Sequence, residues 1–224
     1  MKYYAVIVGG GSGTRMGTEI PKQFLTLNGK PVLMHTIQAF HFSSCKPEII
    51  LVLNIDFHQY WEQLCEEYNF TVPHTLVRAG SQRFHSVKNA LSYIKGQSIV
   101  AVHDAVRPLV SDELITNTFR EAELKGNAVC AVQATDSVRK LAGDYSESVN
   151  RDDIFLVQTP QAFESRILKK AYKQPYIGIF TDDASVVERS GVVINLISGE
   201  KNNLKITYPE DILTAQLFLS RLLK

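Results

Sequence analysis

The sequence carries no surplus of charge: 24 Lys and Arg stand against 23 Asp and Glu, a formal net charge of +1. A chain so balanced has no general attraction for nucleic acid or an anionic membrane, so its cations must act locally. Cysteine is scarce. Cys45, Cys65 and Cys130 are odd in number, widely spaced and without a C-x-x-C pair. That argues against a disulfide framework and for reduced thiols in a cytoplasmic protein. No run approaches the roughly 20 apolar residues of a membrane span. Only six apolar residues, Tyr3 to Val8, precede the first glycine, too few for a signal-peptide core. His35, His41, His58, His74, His85 and His103 fall singly. None has the i, i+4 spacing of a zinc helix, and no Ser-His or Cys-His pair stands out as nucleophile and base.

The familiar nucleotide fingerprints are missing as well. G-x-G-x-x-G fails because its third glycine would fall on Thr14 or Met16, and no acid lies near positions 31 to 37 to hold a ribose. The Walker pattern lacks its Lys and Ser/Thr, and Gly10 to Thr14 misses the nucleophile elbow at its last position. What remains is more specific than a flexible turn. The apolar run Tyr3–Val8 reads as a buried first strand, and Gly9, Gly10, Gly11, Gly13 and Gly17 follow at once, interleaved with Ser12 and Arg15, with Pro21-Lys22 behind. Glycines allow close approach to the backbone, and successive N–H groups form an anion-binding concavity. With Arg15 and Lys22 the loop reads as a polyphosphate site.

Strand-length apolar runs alternate with helix-like segments along the chain. Ile49–Leu53, Ile99–Val102, Ala128–Val132 and Val192–Ile197 have the continuous hydrophobicity of strands covered on both faces. Helices are predicted over Pro31–Phe40, Phe57–Tyr68, Arg83–Ile94, Asp112–Lys125 and Asp183–Ser190, and a last one opens at Pro209. Ser111-Asp-Glu supplies a cap and early negative charge, and Lys125-Gly126 a stop. The pattern predicts an α/β fold: a single, doubly wound, mostly parallel sheet with helices on both faces. The whole of residues 1–224 reads as one domain. Gln133–Asn150 interrupts the rhythm, being polar with Gly143-Asp144 at its middle, and reads as a protruding β-hairpin or a surface loop.

Several constellations fall on the ligand-binding rim of such a sheet. Asp104, in His103-Asp-Ala-Val-Arg-Pro108, ends a strand, where it would serve a divalent metal, hold neighbouring cations, or simply pair with Arg107. Gly80-Ser-Gln-Arg-Phe-His-Ser86 is a second glycine turn entering a helix. Gln158-Thr-Pro-Gln161 follows a strand at Phe155–Val157, and Thr181 reads as an N-cap or a phosphate ligand. Asp182 and Asp183 read as first-turn helix acids, and Lys205 as a charge in a short strand, pointing at an anion.

The motifs G-G-x-S-G-T-R-M-G…P-K-Q-F, H-D-A-V-R-P, V-N-R, Q-T-P-Q, T-D-D-A-S and N-L-K-I-T-x-P-E-D occur in that order. In this the chain resembles the 2-C-methyl-D-erythritol 4-phosphate cytidylyltransferase family over essentially its whole length. Ribitol-5-phosphate cytidylyltransferases share most of the motifs. The resemblance implies a Rossmann-like nucleotidyltransferase that joins CMP from CTP to a small alcohol phosphate, with Mg2+ or another divalent cation at Asp104. It implies that Arg15, Lys22 and Asp104 are catalytic. Gly9, Gly10, Gly11, Ser12, Gly13, Gly80, Ser81, Ser86 and Ala105 would hold the nucleotide. Arg107, Ser137, Arg151, Thr159, Thr181 and Lys205 would hold the alcohol phosphate. It further implies a homodimer in which the 133–150 hairpin crosses into the second subunit, and no nucleic-acid or membrane partner.

Overall fold

The structure, a computed structural model, describes residues 1–11 and 20–222. In chain order the elements begin with β1 (Lys2–Gly9), a small hairpin of β2 (Thr26–Leu27) and β3 (Lys30–Pro31), α1 (Val32–His41) and β4 (Glu48–Leu53). There follow α2 (His58–Glu67), β5 (Thr75–Arg78), α3 (Arg83–Leu91), β6 (Ser98–Asp104), α4 (Asp112–Lys125) and β7 (Asn127–Gln133). The hairpin β8 (Val138–Ala142) and β9 (Tyr145–Val149) precedes β10 (Phe155–Glu164), α5 (Ser165–Ala171), α6 (Asp183–Arg189), β11 (Leu196–Ser198) and α7 (Pro209–Leu222).

Seven strands form one sheet in the order β11-β7-β10-β6-β1-β4-β5. β1 pairs in parallel with β4 on one side and β6 on the other, and β10 alone runs antiparallel to its neighbours β6 and β7. The alternation of strand side chains divides the core. Ala5, Ile7, Leu51, Leu53 and Ala101 face α1, α2 and α4. Val6, Val52, Val100 and Val102 face α3, α5 and α6. Burial on both faces explains the unbroken apolar runs. Since β1 sends the chain first toward β4 and later back to β6, its carboxyl end is the topological switch point, where open α/β sheets bind ligands. The glycine segment starts there.

α4 forms over the predicted residues, and its limits are local chemistry. The Ser111 hydroxyl accepts from the Leu114 N–H at 3.0 Å, Asp112 and Glu113 occupy the first turn, and Gly126 takes the left-handed conformation (φ 84°). Other expectations need correction. Of Val192–Ile197 only Leu196 and Ile197 join the sheet, in the edge strand Leu196–Ser198, and Val193 is 81% exposed. The Asn127 side chain donates to Val193 O and accepts from Asn195 N–H, satisfying backbone groups that a longer ladder would have used. Gln158-Thr-Pro-Gln161 lies inside β10, where pairing with β7 slips between Val157 and Gln161. Lys205 belongs to no strand; its segment is tied by Ile206 N–H to Val106 O. Asp182, not Thr181, caps α6, in a reciprocal capping box with Ser185.

The hairpin is present. β8 and β9 pair only with each other, and Gly143 takes φ 66° at the turn. A glycine at positive φ in the first turn position suits a type II′ hairpin. Leu141 (82%) and Tyr145 (64%) are largely exposed on it.

Candidate active site

A cleft of about 780 Å³ opens at the carboxyl ends of β1, β4, β5 and β6. Gly9, Gly10 and Gly11 form one wall, the turn Gly80–Arg83 the other, and Asp104 and Lys205 lie between. Lys22 lines the same cleft. Ser12, Gly13 and Arg15 lie outside the described residues. A Cβ added to Gly10 would fall 2.7 Å from the Ala79 Cβ, so glycine allows the segments leaving β1 and β5 to approach each other at the cleft. The wall is held by a residue without an expected role: Gln23, buried, donates from Nε2 to Gly9 O at 2.8 Å.

The opposite wall is equally restrained. Ser86 Oγ accepts from Gly80 N–H and donates to Gln82 O, both at 3.1 Å, so the turn is closed upon the first turn of α3. A methyl on Gly80 would meet the His85 Cβ and sit 2.8 Å from its carbonyl carbon. Gly80→Ala is therefore expected to displace the start of α3 and weaken nucleoside triphosphate binding to this cleft at least about tenfold, read by titration calorimetry. Unchanged affinity would show that this turn does not shape the pocket.

Asp104 is the electrostatic centre. Lys205 Nζ stands 3.0 Å and Arg107 Nε 3.2 Å from its Oδ2, and Arg83 Nε 4.0 Å from its Oδ1. Burial alone would push this carboxyl up, but Lys205, Arg83 and Arg107 together hold it well below the usual carboxylate range. Its backbone is positioned from behind. Asp104 N–H donates to Thr159 Oγ1 (3.0 Å), which lies 3.1 Å from His103 Nδ1, while His103 Nε2 is 3.1 Å from Arg107 O. A carbonyl only accepts, so Nε2 carries the proton and Nδ1 accepts from the Thr159 hydroxyl. Burial lowers the His103 pKa to about 4, keeping the ring neutral in this role.

Gly9, Gly10, Gly11, Gly80, Ser81, Ser86, Lys22, Asp104 and Lys205 are thus brought to one cleft. Ala105, Arg107 and Thr159 are buried behind it. The Ala105 N–H donates to Val8 O, and Arg107 spends Nε on Asp104 and Nη1 on Asn203 O (2.7 Å), the local Asp–Arg pair. Ser137 and Arg151 lie at the base of the hairpin, where Arg151 donates to Thr135 O, and neither lines the cleft. Thr181 is exposed, just ahead of α6. The sequence reading missed Gln23, Arg83 and the buried Asp183. Gln23 and Asp183 stand inside recognisable motifs, but nothing in their spacing shows which partner they reach.

No helix among the described residues is long and apolar enough to cross a membrane. A family model described as 2-C-methyl-D-erythritol 4-phosphate cytidylyltransferase matches residues 3–221. The enzyme of that name from Phocaeicola vulgatus is 47% identical over 219 residues, 98% of this chain and all of its own. That from Porphyromonas gingivalis is 48% identical over 220 residues, 98% of each chain. Among solved structures, 4-diphosphocytidyl-2C-methyl-D-erythritol synthase from Anaerococcus prevotii superposes with a TM-score of 0.84 at 27% identity, covering 98% of this chain and 96% of its own. The Francisella tularensis 2-C-methyl-D-erythritol 4-phosphate cytidylyltransferase gives 0.81 at 30%, covering 97% and 99%. With that family model matched almost end to end and relatives nearly half identical over their whole length, this chain belongs to the 2-C-methyl-D-erythritol 4-phosphate cytidylyltransferase family.

Proposed function

We propose that this protein transfers CMP from CTP to 2-C-methyl-D-erythritol 4-phosphate, releasing pyrophosphate and 4-diphosphocytidyl-2-C-methyl-D-erythritol. The observation that carries the reading is Asp104, flanked by Lys205, Arg107 and Arg83 at the floor of a glycine-walled cleft. The attacking group is a phosphate monoester, with a second pKa near ~6, so it arrives ionised and needs no strong base. One of its oxygens bonds to the α-phosphorus as the bond to the pyrophosphate oxygen breaks. The barrier lies in bringing anions together and in stabilising charge on the leaving group, which cations and backbone N–H groups accomplish by position. Arg15 and Lys22 act on the phosphates, and the Gly9–Gly11 and Gly80–Ser86 walls hold the nucleotide together with Ser12 and Gly13.

Asp104 fits a divalent ion of the Mg2+ type. Its Oδ2 is engaged by two cations, while among the described residues Oδ1 has only Arg83 at 4.0 Å. Among the described residues no cluster of three or more His, Cys, Asp or Glu surrounds it. One carboxylate plus substrate phosphates and water is how Mg2+ is commonly held. When bound, the ion would neutralise phosphate charge and favour departure of pyrophosphate.

The alcohol phosphate falls to Thr181 and Lys205 of one subunit with Ser137 on the 133–150 arm of a second and Arg151 just beyond that arm, while Arg107 and Thr159 act through Asp104. A two-stranded hairpin is at best marginally stable alone, and Leu141 and Tyr145 leave apolar surface for a partner to cover. Excising residues 139–148 is expected to yield a monomer by sedimentation, with activity reduced at least about tenfold. A fully active monomer would contradict the crossed arm. For the reaction, pyrophosphate release is measured with four nucleoside triphosphates against methylerythritol phosphate and ribitol 5-phosphate. Release with CTP and methylerythritol phosphate is expected; preference for ribitol phosphate would move the protein to the sister activity.

A further inference from the structure

Arg83 is the first residue of α3 and lines the cleft, its side chain 29% exposed. Its Nη2 lies 2.6 Å from Asp183 Oδ2, and its Nε faces Asp104. Asp183 is fully buried, and its other oxygen accepts from the Tyr172 hydroxyl at 2.6 Å. Burial and the adjacent Asp183 raise the Tyr172 pKa well above the usual value, so the hydroxyl remains a donor. The start of α6 is anchored again through Gln161, whose Nε2 donates to Asp182 Oδ2 and whose Oε1 accepts from Ala184 N–H, both at 2.9 Å. Gln161 pairs with Val102 of β6, two residues before Asp104.

A buried carboxylate is a poor way to gain stability, since an apolar residue of similar volume commonly serves as well. Cohesion between α3 and the α5–α6 region is already supplied by Phe84, stacked on Tyr172 at 4.7 Å and Phe180 at 5.6 Å. An apolar pair could not hold a guanidinium at the cleft beside Asp104. We propose that Arg83 and Asp183 are positioning residues that join the nucleotide wall at Gly80–Ser86 to the Thr181 side and fix the Asp104 carboxylate between them. The inference rests on the cytidylyl-transfer reading above. Its effect falls on turnover, because it concerns the relative placement of reacting groups rather than the number of contacts to either substrate.

The test compares kcat, KM for CTP and Tm of the full-length wild type with Arg83→Lys, Asp183→Asn, the double variant and Tyr172→Phe. Each of Arg83→Lys and Asp183→Asn is expected to lower kcat at least about tenfold with KM for CTP within about threefold, and the double variant to be no worse than the poorer single. Tyr172→Phe, which removes one hydrogen bond, is expected to lower kcat about threefold. A folded Asp183→Asn enzyme with wild-type kcat, or single effects that multiply in the double variant, overturns the proposal. Should Asp183→Asn fail to fold, unchanged kcat in both Arg83→Lys and Tyr172→Phe overturns it. Wild-type turnover separates the two readings: none with CTP and either alcohol phosphate refutes the reaction, whereas normal turnover with unaffected variants refutes only the pair.

Discussion

Lys22→Ala is expected to lower kcat about a hundredfold, ~3 kcal/mol of barrier by analogy with the loss of one preorganised oxyanion donor, while Tm stays within a few degrees of wild type. The second half of that expectation follows from the neighbours. Gln23 clamps the glycine wall, and Phe24 is buried against Phe57, Tyr60 and Trp61 with ring centroids 5.2 to 6.5 Å away. The backbone on which Lys22 stands is therefore fixed by residues the substitution leaves alone. A cation on a rigid mount costs little reorganisation as charge develops, which is why its loss should appear in kcat more than in KM. Arg15→Ala should behave similarly on the chemical argument. Near-normal turnover of Lys22→Ala would remove this lysine from the reaction.

Asp104→Asn is expected to be more severe, with kcat down about a thousandfold because counter-charge and metal ligand go together. It should also destabilise the fold. Arg107, whose side chain is 10% exposed, would lose its carboxylate partner, and breaking a buried pair from one side commonly costs about 3 kcal/mol or more. Lys205 would then face Arg107 and Arg83 without an intervening anion. The amide leaves the Thr159 hydrogen bond to the residue 104 backbone in place, so the folded fraction can still be measured. CTP affinity without added metal should hold within about tenfold, since the site has gained net positive charge. A folded Asp104→Asn enzyme with kcat within tenfold of wild type would refute the central role of this carboxylate.

Local chemistry made much of this legible in advance. α4 could be bounded from its cap, first-turn acids and glycine stop because all three act within one turn. The parallel strands could be found because burial on both faces leaves unbroken apolar runs. The cleft's glycines, Lys22 and Asp104 could be nominated because chemistry on anions needs those groups and each followed a strand or turn signal, whereas Lys205 was nominated from a short strand that does not form. β10 could not be read at its full length, since its middle is Gln158-Thr-Pro-Gln161, a polar stretch with a proline where the pairing register slips. Nor could the fate of Val192–Asn195, whose backbone partners are the side chain of Asn127.

By itself the sequence determined the α/β class, the glycine segment that follows the first strand and the family, and it offered the hairpin as one of two readings. Each is written in neighbouring residues or in an ordered series of motifs. Only the tertiary structure decided that Arg107 and Thr159 stand behind Asp104, that Gln23 holds the glycine wall, and that Arg83 meets an aspartate a hundred positions away. Charge and hydrogen-bonding capacity are properties of a residue, but the partner that uses them is fixed by how distant strands and helices pack.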